Sequence, residues 1–78
     1  MTAHSRDKFP MYVNGFVDED HDLRETVDRA VEVGLQNGQV WNAQIRWFTG
    51  KVLTARAFDD VRAVEGVSGL GEDPGNIM

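Results

Sequence analysis

Apolar and polar positions change their period several times along this chain of 78 residues, and each change marks a predicted element. After a polar stretch over 1–8, Met11, Tyr12, Val13, Phe16 and Val17 form a strand-favouring run around Asn14-Gly15, which predicts a first strand. Pro10 can open such a strand but cannot donate to a ladder from its middle, so it marks an edge or a strand entrance. From Asp20 to about Asn37 the period becomes helical. Leu23, Val27, Ala30, Val31 and Gly34 share one side, whereas Asp22, Glu25, Asp28 and Glu32 collect on the other. Asp18, Glu19, Asp20 and Asp22 supply capping carboxylates where the helix dipole is positive, and Asn37-Gly38 ends the helix.

Past Val40 the period becomes two. Trp41, Ala43, Ile45 and Trp47 alternate with Asn42, Gln44 and Arg46, the pattern of a strand with one buried and one wet face. Thr49-Gly50-Lys51 reads as a turn, and Leu53, Ala55 and Ala57 then alternate with Thr54 and Arg56 in a third strand. A three-residue loop pairs Trp47 with Leu53, Ile45 with Ala55 and Ala43 with Ala57, which gathers the apolar positions on one face. Asn42, Gln44, Arg46, Thr54 and Arg56 then share the opposite face, with Lys51 at its tip. Asp59 or Asp60 caps a short second helix through about Glu65, with Val61 and Val64 inward, and Gly66 stops it. The glycine-containing remainder reads as a tail, ordered where Val67, Leu70 or Ile77 docks. The expected fold is α+β: a small, mainly antiparallel three-stranded sheet with a long amphipathic helix on its Trp41/Ile45/Trp47 face, in the order β-α-β-β-α. One domain spans 1–78, with 1–8 and about 67–78 flexible or loosely docked.

Charge narrows the choice of partners. The net charge is −5, and seven of the thirteen acids lie between Asp18 and Glu32. The six acids elsewhere are matched by six of the eight bases, so the excess sits on one stretch. A concentrated anionic face repels nucleic acid and anionic lipid and favours a basic protein surface. With no cysteine, neither disulfide nor thiolate–metal staple supports the core, which at this length buries only about 60 to 65 per cent of the unfolded surface. The core must therefore suffice alone or be extended by an oligomer interface, for which a homodimer is a reasonable expectation. The polar N-terminus does not read as a signal peptide and nowhere do about 20 apolar residues run together, which points to a cytoplasmic protein with no membrane partner.

Catalytic and metal-binding signatures do not assemble. Asp18-x-Asp20-x-Asp22 opens like a calcium loop, but Leu23 stands where glycine is needed and Arg29 where the closing glutamate belongs. Helix capping is the better reading, with no metal. His21 reads as an exposed residue among acids, and His4, in a loose segment, offers no second fixed ligand. Neither Ser5 nor Ser68 lies in a nucleophile context, Asp59-Asp60 reads as wet helix surface, and the glycines make no phosphate or dinucleotide loop. No enzyme activity and no cofactor are expected. Trp41 and Trp47, with Phe48 and Phe58, could stack bases while Arg46, Arg56 and Lys51 contact phosphate. The shared parity of the tryptophans with Ile45 instead places them beneath the helix, and net charge disfavours direct nucleic-acid binding. The wet strand face, where Phe48 and Phe58 flank Arg46, Lys51 and Arg56, is the alternative protein contact.

Gly50-Lys51-Val52-Leu53-Thr54-Ala55-Arg56-Ala57-Phe58-Asp59-Asp60, followed by Ser68-Gly69-Leu70-Gly71, resembles a stretch of small phage-encoded type I anti-CRISPR proteins. The likeness covers about a quarter of the chain and does not reach the acidic helix. It implies a non-enzymatic inhibitor, made by a phage or prophage, that occupies a CRISPR surveillance complex and blocks its encounter with target DNA. Independently, Asp22, Glu25, Asp28 and Glu32 recur about once per helical turn and could imitate a phosphate row, although Arg24 and Arg29 interrupt it. The expected function is a small acidic protein-binding inhibitor that presents Asp18, Asp20, Asp22, Glu25, Asp28 and Glu32 to a basic nucleic-acid-binding protein in the host cytoplasm. The alternative is a structural or scaffolding module that acts through self-association or a sheet-face protein contact.

Overall fold

The computed structural model describes residues 9–73, which form β1 (Met11–Val17), α1 (Leu23–Val33), β2 (Gln36–Asn42), β3 (Trp47–Val52), α2 (Ala55–Arg62) and β4 (Val67–Glu72). The strands make one sheet in the order β2-β3-β1-β4, with every neighbouring pair antiparallel. The fold is α+β, as expected, but the sheet has four strands rather than three. The fourth lies beside the first, the topology of the ferredoxin-like split β-α-β motif. The expectations for 1–8 and 74–78 lie outside the described residues.

β1 has the predicted place, and its burial alternates along the strand. Met11, Val13, Gly15 and Val17 are buried, while Tyr12 and Phe16 are exposed. Pro10 stands just before the strand, yet β1 is central, not an edge. α1 is shorter than its pattern suggested at both ends. Asp22 is the N-cap, its carboxylate accepting from the Glu25 amide at 2.9 Å. At the other end the Gly34 and Leu35 amides both donate to the Ala30 carbonyl, and fully buried Leu35 turns the chain into β2. Gly34 belongs to the close approach of the two helices: a Cβ there would lie 2.9 Å from Ala57 Cβ.

The hairpin departs most from expectation. Its turn spans 43–46, where the Asn42 side-chain oxygen accepts from the Gln44 and Ile45 amides and Arg46 takes a positive φ of 63°. An Asx-type turn of this kind needs no glycine. Thr49-Gly50-Lys51 consequently lies inside β3, and the expected pairing of Trp47 with Leu53 and Ile45 with Ala55 does not form. Instead of continuing a strand, Thr54 caps α2, its hydroxyl oxygen accepting from the Ala57 amide at 3.0 Å. The second helix starts about four residues earlier than Asp59 for that reason. The segment from Val67, expected to be a tail, pairs with β1 as β4, from Val17↔Val67 to Val13↔Glu72.

Both helices pack on one face of the sheet. Val27, Ala30 and Val61 join Met11, Val13, Val17, Leu35, Phe48, Val52 and Val64 in a single core. The opposite face has no covering layer among the described residues. Gly50 is where the core tolerates least: an added Cβ would lie 2.6 Å from Leu35 Cγ and Cδ1 and 2.9 Å from the Gln36 carbonyl oxygen. Gly50→Ala is therefore expected to destabilise by about 2 kcal/mol, lowering Tm by roughly 8 to 16 °C. Gly71→Ala, where nothing lies within 4 Å of the new methyl, is the matched comparison. It should shift Tm by only a few degrees, and calorimetry of the pair checks the expectation.

Candidate protein-binding surface

The alternation that buries Val13 and Phe48 necessarily turns their neighbours outward. Tyr12 faces Lys51 across β1 and β3, Asn14 faces Thr49, and Phe16 faces Trp47, all on the open side of the sheet. β2 adds Gln39 opposite Thr49 and, beyond a second register shift, Trp41 beside Trp47. The rings of Trp41 and Trp47 are tilted by 40° with centroids 6.4 Å apart. Phe16, Trp47 and Trp41 thus make an aromatic row across three strands, from 41% exposed Phe16 to 47% exposed Trp41. This corrects the placement of both tryptophans beneath the helix. They share no face with the buried side of α1, and Ile45 lies exposed in the turn.

Beside the row is a cleft of about 220 Å³, lined by Tyr12, Asn37, Gln39, Trp41, Thr49, Gly50 and Asp73. Tyr12, 60% exposed, and Trp41 supply aromatic walls, while two carboxamides, a hydroxyl and a carboxylate supply polar groups. The Lys51 ammonium lies 5.5 Å from the centre of the Tyr12 ring, a cation–π distance. Asp73 is tied to the sheet by its amide, which donates to the Tyr12 carbonyl at 2.8 Å. Lys51 and Asp73 carry opposite charges, so this part of the face is nearly neutral on an acidic chain.

The predicted acidic contact is arranged differently. Asp18 and Asp20 stand exposed in the turn before α1, with Glu19 between them, and Asp22 is engaged as the N-cap. Along α1, Arg24 reaches Asp28 at 3.2 Å and Arg29 reaches Glu25 at 3.4 Å. Exposed pairs of this type contribute little to stability, but they neutralise the middle of the supposed phosphate-like row and leave Glu32 at its far end. The excess charge is concentrated at the turn.

The alternative basic face does not assemble. Phe48 is fully buried, while Phe58 is partly buried on α2 beneath the Arg62 guanidinium. Arg56 is also on α2, 3.9 Å from Asp60, and Lys51 belongs to the open sheet face. Arg46 is a clamp rather than a free cation. Its guanidinium donates to the carbonyls of Val17 at 3.0 Å, Asp18 at 3.1 Å and His21, joining the β2–β3 turn to the acidic turn.

His21 is partly buried, not an exposed residue. Its ring packs on Gly66, its Nδ1 is buried without a hydrogen-bond partner, and its Nε2 lies 3.8 Å from Glu65. Among the described residues, no three His, Asp or Glu side chains are placed to share a metal ion. His4 and Ser5 lie outside the described residues.

Sequence reasoning missed Tyr12, Phe16, Gln39, Asn37 and Asp73 as parts of one surface. The available signal was in β1, where the positions between Met11, Val13, Gly15 and Val17 include two aromatic residues. Comparison with protein-family models, curated proteins and solved structures finds no match for this chain. Arg46→Ala is expected to lower stability by about 2 kcal/mol because it removes charge-assisted bonds to three carbonyls. Urea unfolding should show an earlier midpoint with an unchanged slope, only partly recovered by Arg46→Lys, which lacks the planar fork.

Proposed function

We propose that this chain is a non-enzymatic protein-binding module and that its contact surface is the open face of the sheet. The observation that carries this reading is the row Phe16–Trp47–Trp41, half-buried at Trp47 and exposed at both ends, beside exposed Tyr12 on a face where Lys51 and Asp73 balance. Tyrosine and tryptophan dominate binding hot spots because they bury much area while few torsions are lost. Here they stand on strands already fixed by the core, so little ordering remains to oppose association. The cleft's amides and hydroxyl can orient a bound chain, but they do not make an activated nucleophile. Single-stranded nucleic acid also stacks on aromatic rings, yet it requires a basic groove, and the net charge of −5 opposes it.

A second reading keeps the acidic side as the contact, presented to the basic nucleic-acid groove of a host defence complex such as a CRISPR surveillance complex. It is favoured by the exposed carboxylates of Asp18, Glu19 and Asp20, whose turn Arg46 holds to the hairpin. The two readings rest on different residues and can be separated. Three tagged baits would be passed over nuclease-treated lysate of the organism that encodes the chain: the natural protein, Phe16→Lys with Trp41→Lys, and a charge reversal at Asp18, Asp20, Glu25 and Glu32. Asp22 stays because it caps α1. The expected result is a bound protein lost only from the aromatic double variant. Loss only from the charge reversal, with retention that falls steeply as salt rises, moves the contact to the acidic side. Equal capture by all three removes both readings.

A further inference from the structure

Resting on the open face as a contact surface, we propose that its occupant is a second copy of this chain, seated face to face across a two-fold axis. The face carries both halves of an isologous contact. Phe16, Trp47 and Trp41 form a ridge at one level of the strands, and the cleft runs on from Trp41 along β3, past Thr49, to its far end at Tyr12, which lies opposite Lys51. A two-fold axis between the sheets, running across the strands above Thr49, sets each ridge over the other copy's cleft. The partner's Trp41 then enters the space beside Asn37 and Gln39, while the partner's Phe16 approaches Tyr12. At about 220 Å³ the cleft is larger than the cavity of about 150 Å³ known to accept benzene.

Electrostatics selects this orientation. Two copies together carry a charge of −10, twice the −5 of each, and meeting by their acidic helix sides would bring like charges together. Among the described residues, the open face offers one Lys and one Asp beside its aromatic residues, so face-to-face approach keeps both acidic sides outward. Packed sheets stand about 10 Å apart, a gap that interdigitated aromatic side chains from two faces fill. A standard interface takes about 800 Å² from each partner, roughly one sixth of the 4817 Å² this chain exposes. The pairing also gives a small, cysteine-free domain a second apolar layer.

Analytical ultracentrifugation of the full chain, loaded up to about 200 µM, covers the weak end of interfaces of this size. The expected species is twice the 8.7 kDa chain, with tryptophan emission moving to shorter wavelength as it forms. Trp41→Lys and Phe16→Lys, each tested alone, should raise the dissociation constant by at least about 30-fold. Val33→Lys, at an exposed position on α1, should leave it unchanged. A chain that stays monomeric throughout, or a dimer indifferent to both face substitutions, overturns the proposal. If that monomer still captures a protein through Phe16 and Trp41, only self-association fails and the protein-binding reading stands.

Discussion

The two-residue period of β1 against β3 is the constraint on which the rest of this structure depends. Once Val13 lies opposite Gly50 and Gly15 opposite Phe48 beneath the helices, Tyr12, Phe16 and Trp47 must face the other way. A slip of one residue would bury Lys51 and expose Phe48, exchanging the most apolar positions for charged and polar ones. Glycine makes the chosen register fit. Gly50 leaves room for Leu35, and a Cβ at Gly15 would lie 3.1 Å from both Phe48 and Leu70. The core and the exposed aromatic row are therefore consequences of one pairing.

That pairing also explains which elements could be read from sequence. β1 and α1 were legible because each has a complete apolar period, bounded by Pro10 and by the carboxylates ending in Asp22. The hairpin was not, because Trp41, Ala43, Ile45 and Trp47 keep a strand-like alternation through residues that actually turn. The turn is made by the Asn42 side chain and the positive φ of Arg46, a tertiary-supported solution without glycine or proline. Gly50 sent the opposite false signal, since its missing side chain serves packing inside β3. β4 escaped notice because Ser68, Gly69 and Gly71 carry little strand propensity, and pairing with β1 outweighs that deficit.

The functional surfaces follow the same logic. Acids on α1 were readable as charge, but their i,i+4 partners and the capping role of Asp22 were matters of local geometry. The basic set of Arg46, Lys51 and Arg56 dissolved once β3 ended at Val52 and α2 took over, with Arg46 drawn to backbone carbonyls. What emerges is a molecule with an acidic side, carried by the turn before α1 and by Glu32, and a nearly neutral aromatic side carried by the sheet. Stacking two sheets would bury the second and display the first on both outer surfaces, so self-association and attraction to a basic protein are compatible.

The central claim is that Trp41 and Trp47 stand on the sheet face opposite the helices. Nuclear Overhauser spectroscopy of the folded chain tests it residue by residue and does not depend on oligomeric state. Cross-peaks are expected between the Trp47 indole and the rings of Phe16 and Trp41, with none from either indole to the methyls of Val27 or Val61. Indole contacts to those helix methyls would contradict the register, the open face and the binding surface built upon it.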